Sequence, residues 1–224
     1  MNSITIKRSH RRSLAVHIYP DLRVVVSAPK FLTESQIQRF IDEKREWIDR
    51  KLKHFAKLPP QRKKREFITG EHYPILGEDF ALKIATSQQS QIQLGLQGIL
   101  IAAPTLKKAK SIFHEWYLNK ATQVIQQRVT YYAQQLDVQP RSVTVKDYKG
   151  RWGSCKITGD ISFNWRLIMA PLDVLDYVVV HELCHMKEHN HSKRYWAHVE
   201  KAYPNYKLAK KWLREAEQRK ELEF

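Results

Sequence analysis

The residues with the clearest chemical potential form the run His181-Glu182-Leu183-Cys184-His185. Two histidines four positions apart lie on one face of a helix, about 40° apart around its axis, so both rings approach one point. Such a pair supplies two of the three protein ligands of a catalytic zinc ion, and water takes the open position. Glu182 lies about 100° from His181, where it reaches that water without binding the metal. It is the predicted general base, which takes a proton from water and passes it to the leaving group.

The helix that carries this run is predicted to extend from Pro171 to about Glu188. Its residues are apolar nearly all round, which is typical of a buried helix. Buried polar groups are costly unless they are paired or bound to a metal. A chain with ten histidines produces some pairs at this spacing by chance. The intervening Glu and the apolar surroundings favour the metal site.

The third ligand is not fixed by spacing, and four residues after the helix are candidates: His189, His191, His198 and Glu200. His189 would lie about 80° from His181 if the helix continued, so it would point only partly toward the metal. Asn190 can adopt the left-handed conformation that ends a helix, which would turn the chain back and offer His191. His198 and Glu200 lie on the next predicted helix. Cys184, about 60° from His181, is predicted to pack in the core.

The elements around this helix are predicted from apolar periodicity. Period-two alternation between Ile4 and Val26 and again over residues 66–102 indicates short strands, antiparallel in the first third. A capping box at residues 33–36 opens a helix that runs to about Ala56. A long helix opens at Pro104-Thr105 and ends before Pro140.

The C-terminal third alternates less regularly. Strand-like segments lead to the helix of His181, and two helical stretches follow it; the strand-like segments span residues 142–148, 151–157 and 161–168. The order of elements predicts an α+β fold with two domains. Residues 1–104 would form a β-rich N-terminal lobe with one long helix, and residues 105–224 a metal-dependent hydrolase domain.

The composition favours a soluble, cytoplasmic protein. With 39 Lys and Arg against 23 Asp and Glu, the net charge is +16. A surface this basic attracts polyanions, so a nucleotide or nucleic acid is a possible partner. Two cysteines exclude a disulfide scaffold. The first residues lack the apolar segment of a signal peptide, and we expect no membrane-spanning helix because no apolar run is long enough. The sequence does not predict an oligomeric state.

Several stretches together resemble the YgjP-like family of predicted metal-dependent hydrolases. In the C-terminal third they are Arg151-Trp152-Gly153-Ser154-Cys155, Ile161-Ser162-Phe163-Asn164, residues 178–185, Asn190-His191-Ser192 and Tyr195-Trp196. In the N-terminal part they are Arg11-Arg12, residues 24–29, Trp47-Ile48 and residues 70–77. The resemblance therefore covers nearly the whole chain.

This resemblance implies a zincin-like catalytic domain, similar to the WLM and SprT-like proteases, with a helix, a small antiparallel sheet and the His-Glu-x-x-His helix. In the WLM proteases a third histidine follows the second by six residues, so the resemblance selects His191 over Glu200 as the third zinc ligand. One departure is Tyr195, where the family more often has Phe. Some members carry a nucleoside triphosphate pyrophosphatase label.

Three further residues are weaker candidates for contacts in the cleft. Arg151 or Tyr195 would stabilise an oxyanion, and Asn164 would hydrogen-bond a ligand histidine or the sheet. The predicted function is a zinc metallopeptidase whose peptide or protein substrate lies extended along the sheet edge. The alternatives are a metal-dependent nucleoside triphosphate pyrophosphohydrolase and a nucleic-acid-associated protease or binding module.

Overall fold

The chain folds into two compact units, one formed by residues 1–63 with 215–221 and the other by residues 64–214 with 222–224. The structure is a computed structural model that describes residues 4–19, 21–57, 65–219 and 222. Helices and strands are mixed, which confirms the predicted α+β class. The strands that follow residue 65 lie in the same unit as His181. The assignment of residues 1–104 to a lobe and 105–224 to a hydrolase domain stays a prediction.

The first unit is a three-stranded sheet with one helix. Its strands are β1 (Ile4–Ser9), β2 (Ala15–Ile18) and β3 (Val24–Pro29), in the order β1-β3-β2. β1 runs parallel to β3, unlike the predicted antiparallel arrangement, because alternation sets the face of a strand but not its partner. Helix α1 (Glu34–Ala56) begins at the predicted capping box and packs its apolar face on β3.

The second unit opens with a four-stranded sheet in the order β4-β5-β7-β6. The strands are β4 (His72–Ile75), β5 (Glu78–Thr86), β6 (Gln91–Gly95) and β7 (Gly98–Ala103). Leu76 and Gly77 both have positive φ, 51° and 86°, as a two-residue type I′ hairpin turn requires. Leu76 N–H donates to the Ile168 carbonyl at 2.6 Å, which connects this turn to the segment before the helix of His181.

Helix α2 (Leu106–Leu136) is the central support of this unit. The Thr105 side chain caps its first turn, and Asp137 ends it in the left-handed conformation. Its buried face packs on the next helix, α3 (Leu172–Cys184). Within that contact, Arg128 donates two hydrogen bonds of 2.6 and 2.7 Å to the Asp176 carboxylate, and Tyr132 adds a third of 3.2 Å.

A small sheet stands beside α3. Its strands are β8 (Ser142–Lys146), β9 (Gly153–Cys155) and β10 (Asp160–Asn164), in the order β8-β10-β9. β8 is parallel to β10 and β9 is antiparallel to it, so the sheet is mixed rather than wholly antiparallel. β9 is therefore an edge strand, and it packs against α3.

The remaining elements follow in chain order. A 3-10 helix (Trp165–Met169) precedes α3, and α4 (Lys193–Ala202) and α5 (Tyr206–Arg219) come after it. α3 is buried nearly all round, as its composition predicts. Within the described part of the chain, no helix combines the length and apolar character needed to cross a membrane.

Candidate metal centre

The helix α3 places His181 and His185 one turn apart at its C-terminal end. Pro171 precedes the helix, and its carbonyl accepts from Val174 N–H at 3.0 Å, which starts the backbone ladder. The helix ends at Cys184, earlier than predicted, with His185 as its C-cap residue. The two imidazole rings meet edge to face, with 5.0 Å between their centroids. Their shared face confirms the geometry expected of the four-residue spacing.

His191 returns to these rings by a turn. Asn190 does not take the left-handed conformation expected of it; residues with positive φ other than Gly are Leu22, Phe67, Leu76 and Asp137 in the described segments. Instead its side-chain oxygen accepts from Ser192 N–H at 2.9 Å. The Ser192 side chain then caps α4 through Tyr195 N–H. The early end of α3 leaves enough chain for this reversal.

The three histidines form one group of ligand atoms. A nitrogen from each of His181, His185 and His191 lies within 4.8 Å of the other two. The Nε2 atoms of His181 and His191 are 3.3 Å apart. Nitrogens bound to zinc at about 2.0–2.1 Å in a tetrahedron would be about 3.3 Å apart. The donor set therefore fits a zinc ion without rearrangement of these two ligands.

In the rings of His181 and His185, hydrogen bonds determine which nitrogen carries the proton and which has a lone pair for a metal. The Tyr195 hydroxyl donates to the His181 carbonyl at 3.0 Å, so it accepts from His181 Nδ1–H at 2.6 Å. His185 Nδ1–H donates to the Glu188 carbonyl at 3.2 Å. In both rings the proton is on Nδ1 and the Nε2 lone pair is left for a metal. Burial, followed by the charges of neighbouring histidines, lowers the pKa of His181 to about 3, which keeps that lone pair unprotonated.

Glu182 is a buried carboxylate beside the triad, with 5% of its surface exposed. It lies against the backbone of Gly153 in β9, where a Cβ atom would come within 2.5 Å of Glu182 Oε1. Within the described residues its carboxylate accepts no hydrogen bond. Burial raises the pKa of Glu182 to about 8, and the charge of Arg151 opposes that rise. An unpartnered buried carboxylate with a raised pKa is typical of an acid–base group.

Comparison with known proteins identifies the family. The sequence profile of the YgjP-like metallopeptidase domain matches residues 12–216. The chain belongs to the YgjP-like family. It is therefore a metal-dependent hydrolase of the metallopeptidase type.

The crystal structure of the metallopeptidase zymogen of Pyrococcus abyssi abylysin is similar to this chain at 21% identity and a TM-score of 0.38. The similarity covers 40% of this chain and 90% of that one. No curated protein matches the sequence.

The motif residues shared with the YgjP-like family have distinct places around the site. Asn164, which is 3% exposed, donates to the carbonyls of Tyr148 and Arg151 at 2.9 and 3.2 Å. It thus shapes the loop before β9 and contacts no ligand histidine. Arg151 is exposed at the end of that loop, with its guanidinium 5.6 Å from the centre of the Tyr148 ring. Its electrostatic effect on Glu182 places it near the site, and its contact with a transition state stays a prediction.

Tyr195 is fully buried, and its hydroxyl makes two contacts with His181. This geometry favours a positioning role for its hydroxyl over a contact with substrate. The other candidate ligands lie outside the triad. Glu200 is exposed and pairs with Lys207 at 3.5 Å, while Cys184 is fully buried, as expected for packing. Neither His189 nor His198 joins the ligand group.

Sequence reasoning did not find the role of Gly153. The Arg-Trp-Gly-Ser-Cys motif contained the relevant feature, a glycine within a predicted strand. Such a glycine often marks the close approach of another group. The group that approaches is Glu182, 29 positions later, and only the fold shows that pairing. The Glu188 carbonyl was also missed, because a backbone acceptor leaves no mark in the residue types.

Proposed function

We propose that this protein is a zinc-dependent peptidase in which His181, His185 and His191 bind the metal and Glu182 is the general base. The observation that carries the proposal is the distance of 3.3 Å between the Nε2 atoms of His181 and His191, at the separation of two zinc ligands. Three ligands leave one position open, which is typical of catalytic zinc, whereas structural sites have four protein ligands.

A zinc ion held by His181, His185 and His191 would polarise the scissile carbonyl and lower the pKa of a bound water. Glu182 in its ionised form accepts the proton of the attacking water, and a metal cation beside it would favour that form. No hydrogen bond within the described residues competes for its carboxylate. Glu182 then donates that proton to the leaving amine. The absence of a side chain at Gly153 leaves room for the Glu182 carboxylate, and the Tyr195 hydroxyl hydrogen-bonds the ring of His181.

The edge of the small sheet supports a peptide substrate. In the part of the chain that the structure describes, β9 pairs with β10 and no strand pairs with the opposite edge of β9. That edge would bind an extended chain by backbone hydrogen bonds. Because Glu182 lies against Gly153 of this strand, a peptide on β9 brings its carbonyl near the proton acceptor. The cytoplasm, where both cysteines would stay reduced, is the proposed compartment.

The test uses the full chain, stripped with a chelator and reloaded with one equivalent of zinc. An unfolded protein substrate and a nucleoside triphosphate panel are assayed with wild type, Glu182→Gln and His185→Ala. We expect peptide hydrolysis by wild type, loss of about a thousandfold or more in Glu182→Gln with zinc retained, and loss of zinc in His185→Ala.

His189→Ala is the matched control, since this exposed histidine lies outside the triad. It should keep both zinc and activity. Peptide hydrolysis that survives Glu182→Gln would contradict the assigned base. Zinc-dependent cleavage of nucleotides without cleavage of peptides would replace the peptidase by the pyrophosphohydrolase.

A further inference from the structure

A basic pocket adjoins the triad on the side of His191. It has a volume of about 410 Å³ and is lined by Trp196, Tyr206, Lys207, Lys210, Lys211 and Arg214. Trp196 lies on α4 and the other five residues on α5. The volume is within the range of pockets that bind a small ligand or one substrate side chain.

The four cations of this basic pocket form one stripe of α5. Lys207, Lys210, Lys211 and Arg214 recur at helical spacing and are all exposed. Ala209 and Leu213 lie on the other side of the helix and are buried. Like charges three and four positions apart destabilise a helix. Within the described residues the stripe has one ion pair, from Lys207 to Glu200, so three cations lack an acidic partner.

Trp196 connects the basic pocket to the triad. Its ring stacks with that of His191 at 5.8 Å between centroids and lies 6.2 Å from that of His181. The Lys210 ammonium lies 4.3 Å from the centre of the Trp196 ring. The Trp196 ring therefore contacts both a histidine of the triad and a cation of the basic pocket.

The aromatic rings of the basic pocket are already in contact with one another. Trp196 stacks with Tyr206 at 5.3 Å and 22°, in addition to its contacts with His191 and Lys210. A nucleobase needs a free aromatic face to stack on. What the pocket offers instead is positive charge, which suits a compact carboxylate.

We propose that the basic pocket binds an acidic side chain of the substrate next to the scissile bond, so that the enzyme prefers peptides with Asp or Glu at that position. This preference rests on the proposed peptidase function. It names a substrate class for the site: acidic peptides. The stripe on α5 is then a specificity-determining surface. Lys210, Lys211 and Arg214, which have no acidic partner among the described residues, would bind the carboxylate of the ligand.

The experiment compares paired peptides that differ only by Glu or Gln at each position around the cleaved bond. The measured quantity is the ratio of kcat/KM for the Glu peptide to that for the Gln peptide. Wild type should show a ratio of about ten at one position, and Lys211→Glu/Arg214→Glu should lower that ratio about tenfold. Lys107→Glu/Lys108→Glu, at the start of α2, makes the same change in net charge and should leave the ratio as in wild type.

Two further measurements keep the proposal testable if the reversed variant does not fold. The wild-type ratio should fall as ionic strength rises, because salt screens exposed charges. In zinc-loaded Glu182→Gln, the Glu peptide should bind more tightly than the Gln peptide. A ratio near one, or a ratio that the control lowers equally, would overturn the pocket assignment.

The failure of this inference is distinguishable from failure of the peptidase function. Cleavage of peptides with no preference for Glu would overturn the basic pocket alone. No cleavage of any peptide by zinc-loaded protein would overturn the peptidase, and the pocket assignment with it. Nucleoside triphosphates that bind wild type but not Lys211→Glu/Arg214→Glu, with no effect of peptide charge, would assign the pocket to a nucleotide instead.

Discussion

Two buried carboxylates on α3, six positions apart, have opposite surroundings. Asp176 is 6% exposed and accepts three hydrogen bonds from Arg128 and Tyr132 of α2. Glu182 is 5% exposed, and within the described residues its carboxylate accepts none. Burial of a charge is tolerated where it is paired, and where it is unpaired the pKa shifts toward the neutral form. Of two similarly buried acids, the partnered one links α3 to α2 and the unpartnered one is the proposed general base.

The largest effect on stability is expected where the paired carboxylate is removed. Asp176→Ala leaves the half-buried Arg128 guanidinium without a partner and should lower the free energy of unfolding by about 3 kcal/mol. Denaturant midpoints of the metal-free proteins measure this. Glu182→Ala, the control on the same helix, removes no hydrogen bond within the described residues and should cost far less. Equal losses from the two variants would break the comparison.

The next largest effect is expected on catalysis, at the packing contact between Gly153 and the Glu182 carboxylate. Gly153→Ala adds a Cβ atom 2.5 Å from the present position of Glu182 Oε1, which is too close, so the carboxylate must move. A displacement of about 1 Å costs about a hundredfold in rate. We expect that loss in kcat with zinc content unchanged. Gly150→Ala, where a Cβ meets nothing within 4 Å, is the matched control and should keep full activity.

The unpartnered carboxylate also gives stability a pH dependence. Its pKa rises from 4.5 to about 8 on folding, so the folded protein binds the proton more tightly than the unfolded chain. Its stabilising contribution is complete below pH 4.5 and is lost as pH rises through 8. Between pH 6.5 and 8, metal-free wild type should lose about 2 kcal/mol relative to Glu182→Gln. Chemical denaturation of both proteins in chelator measures the difference; parallel pH profiles would refute the raised pKa.

The smallest effect is expected at His181, a proposed ligand whose ring is hydrogen-bonded by the Tyr195 side chain. Tyr195→Phe removes the hydroxyl that accepts from His181 Nδ1–H. The proton of the His181 ring is then no longer fixed on Nδ1. Loss of such a contact should weaken zinc binding about tenfold. Competition with a chromogenic chelator measures the affinity. Tyr131→Phe, at an exposed residue of α2, should leave it unchanged. An unchanged affinity in Tyr195→Phe would show that packing alone orients His181.

What the sequence predicts here is mainly local. The capping box of α1 and the spacing of His181 and His185 depend on neighbours within one or two turns, and the structure has both. Their prediction needs only helix geometry. The identity of His191 as the third member of the ligand group came from the family resemblance, and the turn that places it differs from the one expected.

What the sequence could not predict depends on contacts between distant segments. The parallel pairing of β1 with β3 and of β8 with β10 is a choice among partners with similar patterns. The contact of Gly153 with Glu182 joins a strand to a helix. The hydrogen-bonded ion pair of Asp176 with Arg128 joins residues that are 48 positions apart in the sequence. Both Asp176 and Glu182 occur in an apolar helix, so residue type alone does not distinguish the structural acid from the chemical one.

The early end of α3 has a consequence for how the chain responds to its metal. His185 and His191 bracket a short connection, and ligation of both would close it into a loop, as a covalent cross-link would. Closing a loop lowers the conformational entropy of the segment between the two histidines. A protease should therefore cleave that segment more slowly when the metal is bound. Limited proteolysis at Lys187 would then report metal occupancy directly, with no substrate needed.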